Sequence, residues 1–250
     1  MKKLFKIFFD KFYWLQHPEA KLRYLPVVSI LKKSEMAKRA KILEIGSGSF
    51  GIVPYLKRKI DGLDYDFSGP QTDLLNRIYG TADKLPFRRN SYDIVIAVDV
   101  LEHIPNERRE KSIYEMLRVA RRMVVLVVPS SEKSMQQDQS LQKRWNKLFK
   151  YENQFLEEHV RYGLPKIDEV LVAIDRSLRN LTKKAKVRSE KNLNLHIRKL
   201  LMLTWITKNK YLYYLYLKGY LLLVPLLRFA NFGNCYRRIF VIEFPHENRH

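Results

Sequence analysis

A glycine-rich turn between a short apolar segment and a helical segment is the feature that most constrains the fold of this chain. Residues 42–45 read Ile-Leu-Glu-Ile, and Gly46, Gly48 and Gly51 follow them. A short apolar run suits a buried parallel strand, and glycines let the backbone approach a ligand where a side chain would collide. The N–H groups that open the next helix attract a carboxylate or a phosphate. The segment therefore predicts a nucleotide-binding turn without identifying the nucleotide.

The glycine turn by itself is compatible with more than one cofactor. Its spacing fits the G-x-G-x-x-G pattern of NAD-dependent enzymes, and Asp64 follows at about the distance of a ribose-binding acid. Later segments favour a different cofactor. They are residues 80–87 (GTADKLPF), residues 90–93 (NSYD) before an apolar strand, and residues 99–105 (DVLEHIP).

With Glu44, these segments resemble the class I S-adenosylmethionine-dependent methyltransferases, especially the small-molecule branch that includes quinone-biosynthesis enzymes. The resemblance covers residues 41–129 and rests on four motifs in the family's order. It implies an α/β fold with a Rossmann-like doubly wound sheet, mostly parallel with an antiparallel last strand, and S-adenosyl-L-methionine as cofactor. Two positions depart from the family pattern. Phe50 stands where the third glycine is more usual, and Thr81 stands where many relatives carry an adenine-binding acid.

The resemblance implies cofactor-binding residues on each motif. The glycine turn would approach the methionine part of the cofactor, with Glu44 ordering the loop or reaching the amino group. Asp64 would bind the ribose, because two carboxylate oxygens match a vicinal diol. Ala82 and Asp83 would line the adenine, with Asp83 as a substitute for the acid missing at Thr81. Asp99 and Val100 would lie beside the sulfonium. The complete predicted set is Glu44, Gly46, Ser47, Gly48, Asp64, Tyr65, Ala82, Asp83, Asp99 and Val100.

Apolar segments that alternate with helical segments predict a parallel sheet with helices on both faces. Ligands bind such sheets beyond the carboxyl ends of the strands, where the four motifs fall. Strands are expected near residues 41–45, 59–64, 77–80, 92–98, 123–128, 182–187 and 238–244. Helices are expected at residues 20–33, 107–120 and 166–177 and around Trp145, with loops at residues 130–139 and 159–165.

The length of 250 residues and the 46% hydrophobic content allow one core with appendages. We expect N-terminal amphipathic and cap helices in residues 1–40, the Rossmann-like domain in 41–190 and 236–246, and a helical insertion in 191–235. Residues 1–16 place phenylalanines at helical spacing beside lysines, which suits a packed helix or an interfacial membrane anchor. No small-residue cleavage site follows, so no cleaved signal peptide is expected.

The net charge of +21 predicts an anionic partner, with solubilising surface charge as the alternative. Residues 41–129 hold 14 basic and 12 acidic residues, so the excess lies in the flanking segments. Residues 211–227 are rich in tyrosine and leucine, but Lys218, Gly219 and Pro225 interrupt them, which argues against a membrane span. Tyrosines beside lysines suit an anionic membrane surface, although a cap over the sheet or a subunit contact is equally compatible.

Methyl transfer requires a positioned nucleophile and exclusion of water more than covalent machinery. His103 is the candidate general base, with a helix-capping role for Glu102 and His103 as the alternative. His159 and Tyr162 are candidates for acceptor contact. The six histidines show no metal-ligand pairing, so no metal is predicted, and the single cysteine, Cys235, suits a reducing cytoplasm.

The sequence thus predicts a methyltransferase that acts on a small or lipid-linked acceptor, in the cytoplasm or at the membrane periphery. Two alternatives stay open at this stage. The positive charge suits RNA methylation, although no separate RNA-binding motif and no Asn/Asp-Pro-Pro-Tyr tetrapeptide is present. A membrane-peripheral protein that binds the cofactor without turnover is the other alternative.

Overall fold

A seven-stranded sheet forms the centre of the protein. The computed structural model describes residues 17–34 and 39–245, so the helix predicted for residues 1–16 lies outside the described residues. The strands are β1 (Ile42–Ile45), β2 (Ile60–Asp64), β3 (Leu75–Tyr79), β4 (Tyr92–Val98), β5 (Ala120–Pro129), β6 (Lys186–Asn194) and β7 (Cys235–Glu243). Their order is β3-β2-β1-β4-β5-β7-β6. Strands β1 to β5 pair in parallel, and β7 runs antiparallel to both of its neighbours. The predicted Rossmann-like fold class is confirmed.

Helices follow the strands and cover both faces of the sheet. They are α1 (Pro18–Lys33), α2 (Val53–Leu56), α3 (Asn106–Val119), α4 (Glu132–Phe149), α5 (Gln154–Tyr162), α6 (Ile167–Asn180), α7 (Leu195–Trp205), α8 (Lys210–Tyr214) and α9 (Tyr220–Leu227). A 3₁₀ turn at Leu101–His103 follows β4, and a π-helical turn at Leu215–Gly219 joins α8 to α9.

The core consists of two apolar layers because the central strands are buried on both faces. On one face, Val95, Leu126 and Phe240 belong to the layer that packs under α3 and α6. On the other face, Ile96 and Val125 belong to the layer that packs under α1. Alternate residues of each strand therefore enter different layers, as expected for a sheet covered on both sides.

Two segments that were predicted to be loops are largely helical. Their polar residues cap helices or lie on exposed helix faces. Helix α4 occupies most of the loop predicted at 130–139, and its N-cap is Ser131, whose Oγ accepts from the Ser134 N–H at 3.1 Å. Helix α5 contains the first four residues of the loop predicted at 159–165, with Asn153 as its N-cap. Gly163, with φ of +71°, ends that helix. The glycine that suggested a turn in the sequence therefore marks the end of a helix.

Strand β6 begins four residues later than the predicted position at 182–187. The alternation of apolar and polar residues that marks a strand is obscured in β6, because β6 is an edge strand in which Lys186, Arg188 and Glu190 carry charges. Charged residues are common on edge strands, where they oppose pairing with other chains. The antiparallel pairing with β7, from Lys186 with Glu243 onward, fixes where β6 lies.

Helices α7 to α9 form the segment between β6 and β7. Their buried side chains pack on α1, in a cluster that includes Leu22, Leu201, Tyr216 and Leu221. Within residues 17–34 and 39–245, none of the helices has the length and apolar character needed to cross a bilayer. The segment therefore packs on the cap helix α1, and Met202 also packs against Leu141 of α4.

Candidate active site

One cavity of about 970 Å³ lies at the carboxyl ends of the parallel strands. The turn after β1, the end of β2 at Asp64 and the end of β4 at Asp99 all open into it. The predicted site residues that line it are Gly46, Ser47, Gly48, Asp64, Tyr65, Ala82, Asp83, Asp99, Val100, His103, His159 and Tyr162. Glu44 is the one predicted residue outside its lining.

Glu44 lies beneath the glycine turn and organises it. The carboxylate is fully buried, and its Oε2 accepts from the Ile52 N–H at 2.7 Å. A Cβ at Gly51, which has φ of +49°, would overlap the same carboxylate, so only glycine fits there. Burial raises the pKa of Glu44 to about 8. Two roles were predicted for Glu44, and these contacts correspond to the ordering of the loop.

Asp64 ties the end of β2 to the glycine turn. Its Oδ2 accepts from the Gly48 N–H at 2.6 Å, and its Oδ1 accepts from the Asp66 N–H at 3.1 Å. A Cβ at Gly48 would meet no atom within 4 Å, so the turn leaves open space on its cavity side. Each carboxylate oxygen retains a free lone pair. Open space beside the turn and a carboxylate at the end of β2 fit an amino-acid tail and a ribose.

The predicted adenine-lining residues form a buried corner of the cavity. Ala82 and Asp83 are both buried, and Asp83 Oδ2 accepts from Arg108 Nε at 2.8 Å and from Nη2 at 2.6 Å. Arg108 thus occupies one oxygen of the acid that was expected to replace the family acid missing at Thr81. An adenine contact by Asp83 stays a prediction.

Asp99 is the centre of a buried ion network that the sequence did not predict. Its Oδ2 accepts from Arg23 Nη1 of α1 at 3.0 Å, and its Oδ1 accepts from Arg237 Nε of β7 at 2.8 Å. Arg237 also pairs with Glu19. Burial disfavours the charged form, yet the two guanidinium groups hold the pKa of Asp99 well below its usual range. Residues two apart in β7 face the same side of the sheet, so Arg237 shares the α1 face with Ile239. The strand predicted at residues 238–244 begins one residue too late to include Arg237.

His103 and His159 meet at the wall of the cavity. His103 Nδ1 lies 2.7 Å from Glu158 Oε2, and His159 Nδ1 lies 2.9 Å from Asp138 Oδ2. The ring centroids are 4.8 Å apart. Burial and the neighbouring His159 lower the pKa of His103 to about 4. This pKa makes His103 a weak general base near neutral pH, and its catalytic role stays a prediction.

Part of the cavity wall is formed by residues that the motifs did not indicate. Met202 and Trp205 of α7 and Tyr216 of the π-helical turn line it, together with Arg198 and Tyr236. The Arg198 guanidinium carbon lies 3.3 Å from the centroid of the Tyr236 ring, within cation–π distance. This part of the wall is therefore apolar and aromatic and includes a buried guanidinium group.

Comparison with known proteins identifies the domain that contains the turn. Residues 43–128 match the family described as methyltransferase domain. A SAM-dependent methyltransferase from Thermotoga maritima has a TM-score of 0.51 and 13% identity, over 90% of this chain and 91% of that chain. A chain from the complex of the Haloferax volcanii Trm112 methyltransferase activator has a TM-score of 0.55 and 15% identity, over 98% of each chain. None of the curated proteins matches the sequence.

The structural similarities show the fold, and the domain match adds the chemistry. The chain therefore contains a methyltransferase domain in residues 43–128, and the family of that domain implies S-adenosyl-L-methionine as the cofactor. Neither the domain match nor the fold identifies the acceptor.

Glu44→Gln is expected to flatten the pH dependence of stability. A raised folded-state pKa favours folding at low pH, and that contribution is lost as the pH rises toward about 8. Between about pH 5 and pH 7, the free energy of unfolding of the wild type should fall by on the order of 2 to 3 kcal/mol relative to that of Glu44→Gln. Urea denaturation at several pH values measures this difference, and parallel pH profiles for the two proteins would contradict it.

Proposed function

We propose that the enzyme transfers a methyl group to a small or lipid-linked acceptor, anionic or saccharide in character, through an acceptor oxygen. One observation carries the proposal. One cavity is lined both by the predicted cofactor residues and by the segment between β6 and β7, and we call the part lined by that segment the acceptor end. The resemblance to quinone-biosynthesis enzymes also supports a small acceptor.

S-adenosyl-L-methionine supplies an electrophilic methyl group on a sulfonium sulfur. In our proposal Asp64 binds the ribose diol, and the glycine turn admits the methionine tail while Glu44 holds that turn in shape. The Asp99 network closes the cavity beside Val100. Helix α1 and the segment 195–227 exclude water from the acceptor, which a displacement reaction requires.

The chemistry of the acceptor end supports a ring-bearing or anionic acceptor. Trp205 and Tyr216 line this part of the cavity, and aromatic side chains suit contact with a sugar or another ring. Arg198 is 4% exposed, and its Nε has no hydrogen-bond partner among the described residues. An acceptor oxygen would satisfy that buried donor.

An exposed apolar surface supports contact with a membrane. We define this surface as the exposed side chains Tyr211, Leu212, Tyr213, Tyr214, Leu215, Leu222, Leu223, Leu226, Phe229 and Phe232. Exposed Lys208, Lys210 and Arg228 lie on the same segment. Aromatic and basic residues together suit an anionic lipid surface, where each basic residue contributes about 1 kcal/mol. The same segment lines the acceptor end of the cavity, so a lipid-linked acceptor would reach the site from that surface.

Methyl-labelled cofactor is expected to deliver label to the lipid or small-molecule fraction of a cell extract. The extract is incubated with the enzyme and then separated into lipid, water-soluble and RNA fractions. RNA methylation is the second candidate because of the net charge of +21. Label that appears only in RNA, at high salt and with unrelated polyanions present, would contradict our proposal and support that alternative.

Asp64→Asn is expected to weaken S-adenosylhomocysteine binding by about 10-fold to 100-fold. Hydrogen bonds to a charged acceptor contribute about 1.5 to 3 kcal/mol, and the amide keeps an acceptor for the Gly48 N–H. Calorimetric titration measures the affinity. Asp73→Asn is the matched control because Asp73 is exposed and lies outside the cavity lining. Equal S-adenosylhomocysteine affinity of Asp64→Asn and the wild type would contradict the proposal that Asp64 binds the ribose.

Vesicles that contain anionic phospholipid are expected to bind the wild type more strongly than neutral vesicles. Leu222→Ser with Leu226→Ser should lower the partition coefficient about tenfold, because these side chains are 63% and 72% exposed and would enter the lipid. Leu171→Ser with Val172→Ser, on exposed positions of α6, is the control. Co-sedimentation measures partition, and equal losses in both double variants would argue against this surface.

A further inference from the structure

Glu102, His103 and His159 form a group whose donor atoms suit a metal ion. One potential ligand atom of each lies within 4.8 Å of the others, and all three residues line the cavity. Two imidazoles and one carboxylate are ligands typical of divalent first-row transition ions. Sequence analysis predicted no metal-ligand pairing, because His103 follows β4 whereas His159 lies on α5.

Both imidazole rings are oriented by carboxylates, as metal-binding histidines usually are. Glu158 holds His103 through Nδ1, and Asp138 holds His159 in the same way. Asp138 is itself fixed by the Tyr236 hydroxyl, which donates to its Oδ2 at 2.6 Å. A proton on each Nδ1 leaves the Nε2 lone pair available for a ligand.

Several of the donor atoms have no partner in the described part of the protein. Glu102 is fully buried, and both of its carboxylate oxygens lack a hydrogen bond. His159 is 8% exposed, and its Nε2 also lacks one. A buried polar group without a partner destabilises the fold, because it has lost its hydrogen bonds to water. A cation among these atoms would satisfy all of them at once.

Arg109 joins the two elements that carry the group. From α3, its Nε donates to the Ile104 carbonyl at 3.0 Å, just after the turn that bears His103. Its Nη2 donates to the Tyr162 carbonyl at 3.1 Å and to the Gly163 carbonyl, at the end of the helix that bears His159. The positions of the two histidines are therefore fixed by a buried guanidinium group.

We propose that Glu102, His103 and His159 bind one divalent first-row transition ion, through a carboxylate oxygen and two Nε2 atoms. An ion held at about 2.1 Å from each ligand needs ligand atoms no more than about 4.2 Å apart, so binding contracts the group slightly. This inference rests on the proposed function, since the ion would face the acceptor and stabilise the deprotonated form of a bound hydroxyl. His103 is then a ligand and not the general base.

Metal titration of the chelator-treated full chain tests the site. We expect one Mn²⁺ or Zn²⁺ per chain, detected by electron paramagnetic resonance for Mn²⁺ and by calorimetry for Zn²⁺, with weaker binding of Mg²⁺. Glu102→Gln preserves the shape of the side chain but replaces the carboxylate with a poor ligand, so its affinity should fall at least tenfold. His103→Gln should give a loss of similar size.

His196→Gln is the control, because His196 is exposed and lies outside the cavity lining. Its metal affinity should equal that of the wild type. Retained S-adenosylhomocysteine binding shows that each variant is folded. Absence of saturable binding by the wild type, tighter binding of Mg²⁺ than of Mn²⁺, or unchanged affinity in both ligand variants overturns the site. Failure of S-adenosylhomocysteine binding in the wild type would count against the proposed function and not against the metal site.

Discussion

The carboxylate of Asp99 is buried between two guanidinium groups, and the architecture around the cavity depends on that pairing. Asp99 directly follows β4 and has a φ of +53°, Arg23 comes from the cap helix α1, and Arg237 comes from β7. Removing one partner of a buried ion pair costs about 3 to 5 kcal/mol, because the other charge stays desolvated. The network therefore fixes how α1 lies over the sheet. With Glu19 as the fourth member, two acids balance two bases.

The position of α1 determines where the helices between β6 and β7 pack. Leu22 of α1 packs with Leu201, Tyr216 and Leu221, so the helices between β6 and β7 have a platform beside the cavity. One side of that segment supplies Tyr216 to the cavity wall, whereas the other leaves Leu226 exposed to solvent. In our proposal this appended segment recognises the acceptor, and appended segments are where enzymes of a shared fold can differ in substrate.

The sheet could be predicted from the sequence far better than the site. Strand β4 has the predicted bounds because it is buried on both faces, and its apolar run is therefore continuous. The glycine turn and Asp64 carry local motifs, which a sequence displays directly. The pairing of Asp99 with Arg237 has no such signal, since it joins residues that meet only after β7 inserts beside β5. The meeting of His103 with His159 likewise depends on tertiary packing.

The fold shows where the excess positive charge of the sequence lies. The sheet domain is nearly neutral over residues 41–129, so the long-range attraction of the protein for anions comes from the flanking segments. Lys208 and Lys210 lie just before the exposed tyrosines and leucines. Electrostatic attraction reaches only about 10 Å at 0.1 M salt, whereas apolar contact acts once the surfaces meet. Both forces would act through the one segment that also lines the acceptor end, so attachment and substrate access would be achieved by the same helices.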